Sequence, residues 1–269
     1  MSVKIISICP SNTELCAYLG IQDSLIAVDD YSDWPQSVTA LPKVGPDLSI
    51  NMDLVQELQP DLVLASLSVP GMEKNITELK NRKIPHIVLN PQSLLDIAND
   101  IKTIGRAVGE TARAEQKGAE FLQTIERFRS VSATIRNKPS LYWEWWPNPL
   151  FSPGGINWLT EISSLAGAYN ILEDIELASV QIPPQEIIKR NPDFICLAWV
   201  GVPEEKIKPD LVKKRKGWEE LDAVKKDNIL VLEEPLYCRP SPRLIEGLVK
   251  LARTLHPEEY KNIETNISL

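Results

Sequence analysis

The residues able to do covalent chemistry in this chain are few and scattered. There are two histidines, His86 and His256, and four cysteines, at positions 9, 16, 196 and 238. Neither histidine lies near a serine or cysteine in a pattern that would activate a nucleophile. The cysteine spacing matches no zinc motif, and buried thiols acting as small hydrophobes account for it best. No phosphate loop ending in Lys-Ser or Lys-Thr occurs, and no Gly-x-Gly-x-x-Gly follows a strand. Gly154-Gly155 alone is weak evidence for phosphate binding. Glu144 and the Glu233-Glu234 pair have the chemistry of an acid and a base, yet surface or capping carboxylates are commoner. Metal ligands at close spacing are missing. The pattern points away from catalysis and cofactor chemistry, and toward recognition.

What stands out instead is indole. Three of the seven tryptophans fall in Leu141-Tyr-Trp-Glu-Trp-Trp146. A core strand would use Val or Ile, which have no N–H in need of a partner. Strand alternation sends Trp143 and Trp145 to one face, and Tyr142, Glu144 and Trp146 to the other. Two readings stay open, packing in a core or contact with a ligand at the strand end. Tyr31-Ser-Asp-Trp-Pro35 carries a second aromatic pair in a loop, and loops seldom expose such pairs uncovered. Phe151-Ser-Pro-Gly-Gly155 reads as a flexible loop, and Glu233 to Arg243 as one dense in polar groups.

These residues need a scaffold, and the prolines outline it. The stretch Gln92–Lys138 has none, although the chain holds 21. Proline breaks helices, so the gap marks helix. Leu94, Ile97, Ala98, Ile101, Ile104 and Val108 recur with a helical period. Gly109 offers a stop and Thr111 a new cap. A second helix, from about Ala112 to Arg136, reads as a beam joining two lobes, or as one long helix packed on a single domain. Internal similarity favours the beam. Asp53-Leu-Val-Gln-Glu-Leu-Gln-Pro-Asp-Leu-Val-Leu-Ala65 aligns without a gap on Gln185-Glu-Ile-Ile-Lys-Arg-Asn-Pro-Asp-Phe-Ile-Cys-Leu197. Each copy is a short helix, a polar-Pro-Asp turn and a strand apolar on both faces, as in parallel sheets. At the same offset Leu67 falls on Trp199 and Glu73 on Glu205.

The expected fold is therefore α/β, with two Rossmann-like lobes joined by one long helix and a ligand cleft between them. The expected divisions are residues 1–110 (N-terminal lobe), 111–136 (connecting helix) and 137–269 (C-terminal lobe). After the first strand, Ser11 and Glu14 read as a capping box, which would leave helix amides at the carboxyl edge of a sheet. Composition agrees with a soluble globular protein, 43% hydrophobic and 25% charged with net charge −8. No basic block suggests nucleic acid, and Lys213-Lys-Arg-Lys216 reads as a solvated helix face. No apolar segment reaches the roughly 20 residues of a membrane span. Met1-Ser-Val-Lys4 leads straight into the first strand without the features of a signal peptide. The location is thus cytoplasmic if Met1 is the native start, and extracytoplasmic (periplasmic or cell-surface) if a leader was removed.

Five stretches recur here in the order of one known family. They are Ile-Ser-Ile-Cys-Pro-Ser-Asn-Thr-Glu-Leu15, Tyr31-Ser-Asp-Trp-Pro35, Gln59-Pro-Asp-Leu-Val-Leu-Ala65, Ile104-Gly-Arg-Ala-Val-Gly109 and Arg239-Pro-Ser-Pro-Arg243. The chain resembles the helical-backbone substrate-binding proteins of ABC importers for cobalamin, haem and iron–siderophores, most of all the cobalamin-binding kind. The resemblance implies a monomeric receptor that hands a corrinoid or metal chelate to an ABC permease. With the ligand in a cleft between lobes, the expected contacts near its edges are Ser11, Asn12, Trp34, Leu67, Trp145, Trp146, Phe151, Trp199, Tyr237 and Arg239, the last as a lone cation. Relatives near this chain carry an aromatic residue where Leu67 stands. The resemblance also implies one permease-docking acid on each lobe and places the first at Glu73; the internal repeat sets the second at Glu205, with Glu204 beside it. Aromatic walls with scattered donors suit the bulky, amphipathic corrin ring, whereas haem asks for an axial His or Tyr. An iron–siderophore or haem receptor of the same fold is the alternative, and a cytoplasmic corrinoid-handling protein is a third.

Overall fold

The computed structural model describes residues 3–265. It divides into two compact units. The N-terminal unit runs through Leu122 and takes back Pro240–Pro242, while the other comprises Gln123–Arg239 and resumes at Arg243.

The N-terminal unit alternates β1 (Ile5–Ser7), α1 (Pro10–Tyr18), β2 (Leu25–Val28), α2 (Met52–Glu57), β3 (Leu62–Ser66), α3 (Glu73–Asn81), β4 (His86–Leu89) and α4 (Leu94–Ala107). Its four strands form one parallel sheet in the order β2-β1-β3-β4. Every residue of β3 is buried, as a strand covered by helices on both faces must be. Ile6, Ile8, Val63, Ala65, Leu79 and Ile84 form one apolar layer against it.

From here α5 (Thr111–Ser132, 22 residues) carries the chain into the second unit, Leu122 belonging to the first and Gln123 to the second. At about 1.5 Å per residue it is roughly 33 Å long. Ala114, Phe121, Ile125 and Phe128 form its buried stripe. The helix ends before the expected Arg136 because the amides of Thr134 and Ile135 bond three residues back rather than four, a tightening that commonly ends a helix. The Gly105 and Gly109 of the fourth family-like stretch have separate jobs. A Cβ on Gly105 would stand 2.1 Å from that of Ala114, so α4 and α5 meet backbone to backbone there. Gly109 turns the chain at φ +82°, a conformation that suits glycine.

The C-terminal unit contains β5 (Ser140–Glu144), β6 (Trp146–Pro147), β7 (Leu150–Pro153), α6 (Trp158–Leu165), β8 (Tyr169–Asn170), β9 (Ser179–Gln181), α7 (Pro184–Arg190), β10 (Phe194–Leu197), α8 (Pro209–Lys213), α9 (Asp222–Lys225), β11 (Ile229–Val231), α10 (Glu234–Tyr237), α11 (Leu244–Leu255) and α12 (Pro257–Tyr260). Its parallel sheet has the order β11-β10-β5-β8, the N-terminal order read from the other end.

The internal repeat is obeyed down to single residues. Leu62 pairs with Ile5 and Val63 with His86; their counterparts Phe194 and Ile195 pair with Leu141 and Ile229. Gln59 and Asn191, which end the two repeat helices, both have positive φ, 48° and 43°. Asp61 and Asp193 do more than make turns. Asp61 accepts the amide of Lys4 at 2.8 Å, and Asp193 accepts the amide and hydroxyl of Ser140 at 2.8 and 2.7 Å. Each aspartate thus clamps the start of its unit's first strand.

One feature breaks the symmetry. Phe151–Gly155 is not a flexible loop: β7 pairs antiparallel with β6 and β9 in a three-stranded sheet. Gly154 is required because the carbonyls of Leu177 and Ile175 would lie 2.3 and 2.8 Å from any Cβ there. The Gly154-Gly155 pair therefore accommodates crossing backbone. No helix among the described residues is long and apolar enough to cross a membrane.

Candidate ligand-binding site

In an open parallel sheet, ligands approach the carboxyl ends of the strands. In the N-terminal unit, β1 ends beside the start of α1. The expected capping box is absent: Cys9 is the N-cap, Pro10 opens the helix and no side chain caps it. Proline suits this first position because its missing amide would have no partner anyway. Ser11 and Asn12 are buried. Ser11 Oγ meets Cys9 Sγ at 3.2 Å, and Asn12 Nδ2 donates to the Ala65 carbonyl at 3.1 Å, tying the helix to the end of β3. Both are structural ties rather than exposed ligand contacts. Glu14 is buried too and accepts the hydroxyl of Ser241.

The loop after β2 is anchored by a buried carboxylate. Asp29 Oδ1 accepts the Ser32 hydroxyl at 2.6 Å and Oδ2 the Tyr31 amide at 2.8 Å. Lys43 Nζ donates to the carbonyl of Ser32 at 2.8 Å, and Thr13 Oγ1 lies 2.7 Å from Ser32 Oγ. Tyr31 is left 55% exposed. Trp34 goes elsewhere. It lines a cavity of about 500 Å³ with Tyr18, Gly20, Arg113 and Lys117, beside the last turn of α1 and so away from the carboxyl edge where that helix begins. Leu67 is half-buried and packs on the unit's core.

Burial pushes Asp29 up to about 6, against the pull of its hydrogen bonds to Ser32 and Tyr31. Asp100 on α4 is pushed to about 7 by burial and by the charge of Asp96. Its Oδ2 has no hydrogen-bond partner among the described residues. Both carboxyls hold protons more tightly folded than unfolded, so their stabilising contribution is full below about pH 4 and fades as pH rises through 6 and 7. Asp100→Asn, a mimic of the protonated form, is expected to melt a few degrees higher than the parent at pH 8. The gain should vanish toward pH 4; a gain constant from pH 4 to 8 would contradict this account.

In the C-terminal unit, four of the expected residues come together at the ends of β5 and β10. The amide of Trp145 donates to the Phe151 carbonyl at 2.8 Å, while Trp146 is the ladder partner of Phe151. Two residues thus oppose one, a β-bulge that re-aims side chains. For this reason simple alternation fails beyond Glu144. Trp146 is 44% exposed. Trp145 is half-buried and packs on Trp158 at 5.8 Å between ring centroids. Val200, whose amide bonds the Trp145 carbonyl, is also exposed. Trp199 is almost covered, and its Nε1 donates to Glu144 Oε1 at 3.1 Å.

Sequence reasoning missed what holds this edge. Glu144 is fully buried and accepts from Tyr142 Oη at 3.2 Å, from Trp199 and from both terminal nitrogens of Arg215, one of them at 2.8 Å. Arg215 lies 4.5 Å above the Trp218 ring, and Trp218 meets Tyr142 edge-on at 5.9 Å. The run 213–216 is therefore not a wholly solvated helix face. Its third residue turns inward just after α8 ends, and the one signal was a glutamate amid aromatics in a strand.

Two further expectations are corrected. Tyr237 is sealed in the core, its hydroxyl bonded to the Gly247 carbonyl at 2.8 Å and its ring against Trp143. Arg239 is no lone cation, since Glu234 Oε2 takes its Nε and a terminal nitrogen, both at 3.1 Å. Glu73, at the start of α3, is exposed and accepts the Gly71 amide. Glu204 and Glu205 are exposed on a single turn after β10.

All four thiols are free. Burial raises Cys9 to about 11, Cys16 to about 12, and Cys196 and Cys238 higher still, so they stay protonated and poorly reactive. Among the described residues no three His, Cys, Asp or Glu gather to hold a metal.

Residues 5–236 match the periplasmic binding protein family, and the chain belongs to it. It is a substrate-binding receptor of an ABC transporter, not an enzyme. An ABC transporter substrate-binding lipoprotein of Bacillus subtilis (strain 168) is 32% identical, over 96% of this chain and 81% of its own length. A vitamin B12-binding protein of Vibrio parahaemolyticus is 24% identical, over 96% and 90%. Among solved structures, the periplasmic vitamin B12 binding protein of Vibrio cholerae superposes with TM-score 0.78 at 22% identity, covering 97% of this chain and 98% of that one. Staphylococcus aureus IsdE complexed with heme gives 0.83 at 17% identity, covering 95% and 100%.

Proposed function

We propose that the ligand is cobalamin or a related corrinoid, delivered to an ABC permease from outside the cytoplasmic membrane by a monomeric receptor. The observation that carries this reading is the apolar edge of the C-terminal unit, where Trp146 and Val200 are exposed beside half-buried Trp145 and Phe151. A large ring with an uncharged face is held well by such a surface, mostly through area removed from water. The vitamin B12-binding relatives support the ligand, and the lipoprotein relative and the periplasmic structural neighbour support the location.

Haem is the second reading. Neither histidine lies at a carboxyl edge: His86 opens β4 at the opposite edge, and His256 Nε2 faces the Gly167 carbonyl at 3.0 Å. Tyr31 is the group that favours haem, because an exposed phenol can serve as its axial ligand. Trp146→Ala separates contact from scaffold, since an exposed indole contributes little to folding. The variant is expected to weaken cobalamin binding by about 1–3 kcal/mol in calorimetry with an unchanged melting temperature. Equal affinity would remove this edge from the site.

A further inference from the structure

A groove of about 700 Å³ on the C-terminal unit is lined by none of Trp145, Trp146, Phe151, Trp199 and Val200. Its size falls in the range of small-molecule pockets. Pro149, Leu150, Ile182 and Ile188 give it apolar walls, and no aspartate or glutamate lines it. Arg215, Lys216 and Trp218 also line it, and the side chains of all three carry donors and no acceptor. Glu144 occupies only the terminal nitrogens of Arg215, leaving its Nε–H unspent among the described residues. Lys216 is exposed and enters no ion pair among the described residues. Trp218 is fully buried, and its Nε1 has no hydrogen-bond partner among the described residues. A buried donor without an acceptor is rare in native proteins and marks either an ordered water or a missing partner.

We propose that this groove is a second binding site, for a small monocarboxylate with an apolar ring or chain. The carboxylate would lie against Lys216, the Arg215 Nε–H and the Trp218 indole N–H, and the apolar body against the proline and isoleucine walls. The buried Glu144 fixes the guanidinium plane, so that recognition costs little side-chain ordering. Charge-assisted hydrogen bonds are stronger than neutral ones, so a carboxylate should be chosen over an amide of equal shape.

Benzoate and benzamide test this with the full chain, read through the indole N–H resonances in two-dimensional NMR. Benzoate is expected to shift the Trp218 indole saturably in the millimolar range, and benzamide to bind about tenfold more weakly. Arg215→Gln would leave Glu144 buried without its cation and is at risk of misfolding. Lys216→Gln, on an exposed side chain, is the informative variant: it should weaken benzoate severalfold with the melting temperature unchanged. The absence of a saturable Trp218 shift, an equal response to benzamide, or indifference to Lys216→Gln would each overturn the proposal.

Discussion

Glu144→Ala is expected to lower the stability of the C-terminal unit by about 3–5 kcal/mol, the cost of breaking a buried ion pair by deleting one partner. The substitution leaves Arg215, whose side chain is 19% exposed, without a counter-charge. It also removes the acceptor of the Trp199 indole and of the Tyr142 hydroxyl. Burial, the largest of the causes that push the Tyr142 phenol well above its ordinary range, survives the substitution, so the hydroxyl stays a buried donor that has lost this acceptor. Replacing both charges, Glu144→Leu with Arg215→Met, should cost less than the single change, because a well-packed apolar pair escapes the desolvation penalty. Urea unfolding followed by intrinsic fluorescence reads this unit almost alone, since Trp34 is the one tryptophan in the other unit. A loss below about 1 kcal/mol for Glu144→Ala would mean that the pair is worth no more than a surface salt bridge.

The second large effect concerns delivery. The double variant Glu73→Ala, Glu205→Ala is expected to abolish uptake in cells while leaving ligand affinity in solution intact. Both carboxylates are exposed, Glu73 opening α3 after β3 and Glu205 on the turn after β10, and the sequence offset of the internal repeat sets one against the other. An exposed glutamate contributes little to folding, so the paired requirement would have to come from a partner that reads both units. Because Glu204 neighbours Glu205, comparing this double variant with Glu73→Ala, Glu204→Ala and with the triple variant distinguishes which of the two is used. Undiminished transport by the triple variant, or a parallel loss of ligand binding, would remove these residues from docking.

Much of the fold was legible because it is written twice. A short helix, a left-handed residue, Pro-Asp and a doubly buried strand recur from Asp53 and from Gln185, and pairing partners follow in register. Those features are local, set by proline and by apolar runs. What stayed hidden was decided by groups distant in sequence. Glu14 looked like half of a capping box, and only the fold brings Ser241 to it. Arg215 looked like one of four solvated cations, and only the fold puts it under Glu144. The β6–β7–β9 sheet was hidden by Pro149, Pro153 and two glycines, residues that mark loops unless another strand crosses closely. At the aromatic edge, residue type was informative but direction was not. The bulge at Trp145 and Trp146 moves Trp146 into solvent, Tyr237 is spent on packing, and Trp34 turns back toward α1.

Titrating the purified protein with cobalamin while following tryptophan fluorescence tests the central claim most directly. Saturable quenching at micromolar ligand, lost or weakened about tenfold in Trp146→Ala, is the predicted result. Fluorescence unmoved by cobalamin but quenched by haem or an iron–siderophore would contradict the corrinoid assignment.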